Sequence, residues 1–239
     1  MLIQQGVIRS ADADRRLALL LALVAGALNA AGFYAAGLYS ANMTGNVSSI
    51  SDNIGTGQIS LAGFYAGLVA MFIVGATISA LLINAGKRHQ FAGIYALSIT
   101  TEAILLAILG LVDLSLQGAA RGAVLTFGLS FLMGLQNAVV TQISNARVRT
   151  THVTGMLTDI GIEFGNLLEL WLQPGHDGEV ALNRDKLRLH WQTVAAFLVG
   201  GVVGVATYKL SGNALLFGCS ALLLTASVQH VWKPGDRAL

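Results

Sequence analysis

The sequence predicts an all-α polytopic membrane protein: six transmembrane helices arranged as two inverted three-helix repeats, each with a re-entrant broken helix after a Thr-Gly motif. Three observations carry this. Hydrophobic residues make up 54% of the chain and charged residues 11%, against about 25% charged in ordinary soluble domains. The charges are clustered, so that no Asp, Glu, Lys or Arg occurs in 17–51, 53–86, 122–146, 189–208 or 210–232. Each stretch can supply the roughly 20 apolar residues that cross a bilayer. Finally, the chain repeats itself. Gly26, Asn29 and Ala30 match Gly134, Asn137 and Ala138; after a two-residue gap, Thr44-Gly45 matches Thr154-Gly155, Ile50 matches Ile160 and Gly55 matches Gly165.

Taken in order, residues 1–16 form a cytoplasmic tail held by Arg9, Arg15 and Arg16. Arg15-Arg16 leads straight into a long span with no short apolar core and cleavage motif, so no cleavable signal peptide is expected. The first repeat covers 17–113: span one at 17–39, the polar element 40–57, span two at 59–85 and span three at 91–112. The second covers 114–232: span four at 122–144, the polar element 150–171, span five at 190–208 and span six at 213–232. Residues 233–239 form a second cytoplasmic tail.

Basic residues choose the orientation. With six spans and each Thr-Gly element entering and leaving on one side, Lys87, Arg88, Arg147, Arg149, Arg184, Lys186, Arg188, Lys233 and Arg237 join the first three arginines inside. Only Arg121 and Lys209 fall outside. Three crossings per half then force the halves into opposite orientations, the pattern of many secondary transporters with a midplane site. An extended approach to Thr44 and a returning helix from Gly45 to Gly57 fit half a bilayer at 1.5 Å per helical residue.

Each Thr is read as an N-cap, and the following Gly as leaving the first turn open to a ligand. A helix beginning at membrane depth offers free N–H groups and a positive dipole end to an anion. Asn29, Thr44, Gly45, Asn46, Asn137, Thr154 and Gly155 are therefore the candidate solute-binding residues. Asn29 and Asn137 have a second reading, as supports for the broken backbone or glue between helices. Glu102, Asp159 and Glu163 are the candidates for proton or cation coupling. Glu102 stands mid-span, where an acid must be paired or neutral. Asp159 and Glu163 share one helical face, and supporting or interfacial roles are equally open to them.

The paired spacings Gly63/Gly67, Gly118/Gly122 and Gly200/Gly204 suit close helix contacts, within the chain or in a homodimer. Trp171, Trp191 and Trp232 read as interfacial anchors, and His176, His190 and His230 as loop or interface residues. The single cysteine, Cys219, rules out an internal disulfide framework and a Cys-rich metal site. No HExxH, Walker A, dinucleotide-binding glycine motif or nucleophile elbow is present, so neither an enzyme nor an ATP-driven pump is expected, nor any cofactor. The net charge of +2 comes from loop residues, and no nucleic-acid partner is expected.

The segments GALNAAGFYAAGLYSANMTGN and THVTGMLTDIG resemble those of the YoaK-like bacterial inner-membrane proteins, a family of unknown function, and the resemblance covers almost the whole chain. It implies six spans in the inner membrane and no particular substrate. The family pattern carries Asp where this chain has Asn29, so no charge-dependent role carries over to that position. The residues themselves favour a secondary transporter or facilitator of a small polar or anionic solute, with proton coupling as an option. The alternatives are a scaffold or lipid- or partner-binding protein in the bilayer, and a passive channel.

Overall fold

The computed structural model describes residues 11–91, 93–146, 148–172 and 182–231. Most of the 1–16 tail, the 233–239 tail, Arg9, Arg147, His176, Trp232, Lys233 and Arg237 lie outside the described residues. The described chain forms α1 (Ala11–Ala36), α2 (Met43–Gly55), α3 (Ile59–Arg88), α4 (Ile94–Ser115), α5 (Gly118–Ile143), α6 (Val153–Leu172), α7 (Arg184–Ser211) and α8 (Ala214–Val231).

Five of these helices are long and apolar enough to cross a membrane: Arg15–Ala36, Ile59–Arg88, Ile94–Ser115, Ala120–Ile143 and Arg184–Ser211. The sixth expected span is α8, whose apolar stretch Ala214–Val228 is shorter. The outward faces agree with a lipid surround. Ile73, Val74, Ile78 and Leu81 on α3, and Leu198, Val199, Val202 and Val203 on α7, are all exposed. In water such belts would be unstable apolar patches. The chain is a multi-pass helical membrane protein.

Two boundaries differ from expectation. α1 begins at Ala11, inside the predicted tail, and Arg184, Lys186 and Arg188 lie in the first turns of α7 rather than in a loop. The Asn183 side chain accepts from Lys186 N at 2.9 Å and starts α7 there.

Packing follows a pattern that chain order does not show. The largest interfaces are α1 on α7 and α3 on α5. A Cβ at Gly26 would strike Phe197 O, and one at Gly200 would strike Leu23 O. Gly134 meets Phe72 O and Gly75 meets Phe131 O in the same way. The two glycine pairs sit at equivalent places in the two halves, and they let backbones touch. Gly204 also packs on Ala27, Gly122 on Ala35 and Ala36, and Gly67 on Phe127, whereas Gly63 and Gly118 face open space. The register shows that α1 and α7 run parallel, as do α3 and α5. α1 and α5 run antiparallel, with Gly122 over Ala35 and Leu129 over Gly32. Each sequence half therefore grips the other, through α1 on α7 and α3 on α5.

The two short helices begin well inside this bundle. Ala41 N donates to Asn29 Oδ1 at 2.9 Å, seven residues before α1 ends. Gly37, with φ of 72°, allows the reversal. At 1.5 Å per residue the chain has come back about 10 Å before α2 starts. Likewise Thr151 Oγ1 donates to Asn137 Oδ1 at 2.9 Å, six residues before α5 ends. Because α1 and α5 are antiparallel, the two returns come from opposite ends. The approach bends at 37–38 and turns at 40–41, where Asn42 N donates to Tyr39 O at 3.3 Å, and is not the extended strand expected before Thr44.

Candidate functional site

α2 starts one residue before Thr44, which alters the reading of its tip. Asn42 is the N-cap, and its Oδ1 accepts from Gly45 N at 3.1 Å. Asn caps a helix as well as Thr does, and here it comes first in the chain. A Cβ at Gly45 would collide with the Asn42 side chain, so the glycine makes room for the cap rather than for a ligand. In the second copy, too, the glycine makes room for an upstream side chain. His152 precedes α6, and its ring fills the space that a Cβ at Gly155 would need. Thr44 and Thr154 are thereby released from capping, and both are exposed.

Both tips face one cavity of about 710 Å³. Asn29, Asn42, Met43 and Thr44 line it from the first half, and Asn137, His152, Val153 and Thr154 from the second. Phe72 and Phe197 complete its walls. Of the predicted binding residues, Asn29, Thr44, Asn137 and Thr154 are thus brought together. Gly45, Asn46 and Gly155 are not among its lining residues; Asn46 is buried, with Nδ2 3.9 Å from Met43 Sδ.

The halves are matched in place but unequal in chemistry. Where the first contributes Tyr39, Ala41 and Asn42, the second contributes Arg149, Thr151 and His152. Among the described residues, none of those lining the cavity is acidic, and no carboxylate pairs with Arg149. Its one fixed charge is therefore positive. By position in the sequence alone, Arg149 is only an orientation marker. The repeat carried the missing signal: Phe72-Ile73-Val74-Gly75 reappears as Phe197-Leu198-Val199-Gly200, in the helices that flank the tips.

Arg149 and His152 also line a second cavity, of about 900 Å³, at the start of α7. Arg15, Lys186 and Arg188 bring positive charge to it, and Asp12, Asp159 and Asp185 negative charge. The two residues stand where the inner cavity meets this outer one.

Of the three predicted coupling acids, Asp159 and Glu163 lie one turn apart on α6, and Glu102 stands separately on α4. Asp159 Oδ1 accepts from Lys186 Nζ at 3.0 Å, and its Oδ2 lies 3.4 Å from His190 Nδ1. Glu163, buried, accepts from Asn183 N at 2.9 Å. Both acids thus tie α6 to the start of α7. Glu102 is wholly buried on α4 and meets α5 through Gln136 Nε2 at 2.9 Å. The Asp159–Lys186 pair is more than a third exposed, and such pairs contribute about 0.2–1 kcal/mol. Asp159→Asn is therefore expected to lower the melting temperature only slightly, and to leave ligand binding in the inner cavity unchanged, as a thermal titration would read.

Asn29 and Asn137 support the linkers. Asn29→Ala leaves Ala41 N–H without its partner, at a cost of about 1–3 kcal/mol if the group stays dry. Asn29→Asp keeps an acceptor at the same place. Thermal unfolding is expected to show a clear loss for the alanine variant and a smaller one for the aspartate.

A family model described as "Protein of unknown function (DUF1275)" matches residues 17–228. No curated protein and no solved structure matches the chain.

Proposed function

The chain belongs to the DUF1275 family of unknown function, and from its geometry we propose a secondary transporter or facilitator of a small anionic solute, bound between the two helix tips near the bilayer midplane. The observation that carries this reading is the inner cavity, with one unpaired arginine, no acid in its described lining and two helix N-termini facing it. Helix N-termini and guanidinium groups both favour anions, and most so where water is scarce. The threonine hydroxyls of Thr44 and Thr154, freed by the upstream residues at their helix starts, donate to the same solute.

In this reading α1, α3, α4, α5, α7 and α8 cross the inner membrane as an inverted repeat. α2 and α6 are re-entrant and enter from opposite faces. What supports it is the pair of matched returns at Asn29 and Asn137 and the shared end of Arg15, Arg88 and Lys186, which becomes the cytoplasmic face. The moving units are not the sequence halves. They are α1 with α7 and α5 with α3, each pair held by glycine-mediated backbone contacts, with α6 packed on α7 and α2 on α3. Alternating access would open the cavity first past one tip and then past the other.

Thermal unfolding of the purified protein against a panel of monovalent and divalent anions, organic acids, amino acids and neutral polar solutes tests the proposal. A ligand at a hundredfold excess over Kd stabilises by about 2.7 kcal/mol. Anions are expected to shift the curve and neutral solutes are not; a panel without any shift would contradict the reading.

A further inference from the structure

Glu102 and Gln136 form a pair that the anion site does not use. Glu102 lies on α4 and Gln136 on α5, and both are fully buried. Gln136 Nε2 donates to Glu102 Oε1 at 2.9 Å. The remaining oxygens, Glu102 Oε2 and Gln136 Oε1, are buried and have no hydrogen-bond partner. Among the described residues no lysine, arginine or histidine pairs with Glu102.

A bare carboxylate in that position is untenable. A buried charge needs a counter-charge or several donors, and Glu102 has one neutral donor. The amide's other atom, Gln136 Oε1, is an acceptor and gives a carboxylate no further donor. A proton on Oε2 resolves both difficulties at once. A carboxylic acid and a primary amide pair side by side through two bonds: amide N–H to the carboxyl oxygen, and carboxyl O–H to the amide oxygen. The first bond is present, and the two orphan oxygens are the atoms that the second would join.

We propose that Glu102, locked to Gln136 as a neutral acid–amide pair, is the protein's proton-binding site and couples proton movement to the inner cavity. This rests on the anion-carrier reading and adds the coupling ion to it. The link to the cavity is one residue long: Asn137, next to Gln136, holds Thr151 in the linker that lines it. When the proton leaves Oε2 for water, the carboxylate and the amide oxygen repel, and the α4–α5 contact must open. A proton carried with a monoanion moves no net charge.

The surroundings leave Glu102 as the group that titrates. α4 packs on α3, α5 and α8. From α8, Cys219 is the titratable neighbour, and Ser220 donates to Ala103 O. α5 brings Gln136, while its Arg121 is held by Asp113 near the other end of α4. α3 carries its charges, Lys87 and Arg88, in its last turn, with Lys87 over the ring of Tyr95, which is about two helical turns before Glu102 on α4.

Infrared difference spectra of the full-length protein in lipid vesicles test the proposal directly. The wild type is expected to show the C=O stretch of a protonated carboxyl at neutral pH, absent in Glu102→Gln. In the same vesicles an inward proton gradient is expected to accelerate anion uptake by the wild type, and Glu102→Gln is expected to lose that acceleration while keeping the anion-induced thermal shift. No protonated-carboxyl band at neutral pH, or a band that survives in Glu102→Gln, would overturn the proposal. So would stabilisation by Na⁺ that the variant loses, since a metal ion would then hold the two oxygens. Failure of the anion panel alone would remove the carrier reading and leave the spectroscopic result to decide the proton site. Should Glu102→Gln not fold, the wild-type band and its disappearance in alkaline buffer decide the matter.

Discussion

Arg149→Ala protein is expected to fold and to lose most of its affinity for any anion that stabilises the wild type. Arg149 lines both cavities, is exposed and has no ion pair among the described residues, so its removal breaks no internal contact of that kind. A hydrogen bond to a charged group contributes about 1.5–3 kcal/mol, equivalent to a roughly 10- to 150-fold weaker Kd. Arg149→Lys keeps the charge but not the two-pronged geometry and should fall between the two. Titration of the thermal shift against anion concentration measures both. Unchanged affinity in the alanine variant would place the anion elsewhere.

The second large effect is on folding. Gly75→Val puts a branched side chain against the Phe131 carbonyl, and Gly200→Val does the same at Leu23. Overpacking against side chains costs about 1–3 kcal/mol. Here the obstacle is backbone within a neighbouring helix, so α3 must leave α5, or α7 must leave α1, and the cost exceeds that range. Either variant is expected to yield little monodisperse protein by size-exclusion chromatography. Gly218→Ala is the control: its Cβ meets nothing within 4 Å, and the change should stabilise α8 by about 0.5–1 kcal/mol. A Gly75→Val protein as stable as this control would refute the interlocked packing.

Much of this was legible in the residues. Charge-free stretches marked the long helices, and the Asn…Thr-Gly repeat marked the two tips and four residues of their shared cavity. The remainder depended on information that spacing does not hold. Asn42 and Thr44 are both good helix starters two residues apart, and only the backbone path decides between them. The glycines looked like openings because nothing in the sequence says that Asn42 and His152 fold over them. Asp159 and Glu163 share a face as expected, yet their partners come from α7, across a loop whose course the sequence does not specify. Glu102 was singled out as an acid in an apolar span, but its partner Gln136 lies 34 positions away.

The central claim is that two helix tips from opposite halves share one aqueous, anion-binding cavity. It is tested most directly by placing a cysteine at Thr44 or at Thr154 in Cys219→Ala protein and measuring its reaction with a small hydrophilic thiol reagent. Both positions are expected to react, and one and the same anion is expected to slow both. Protection of one position without the other, or reaction at neither, would contradict a shared cavity.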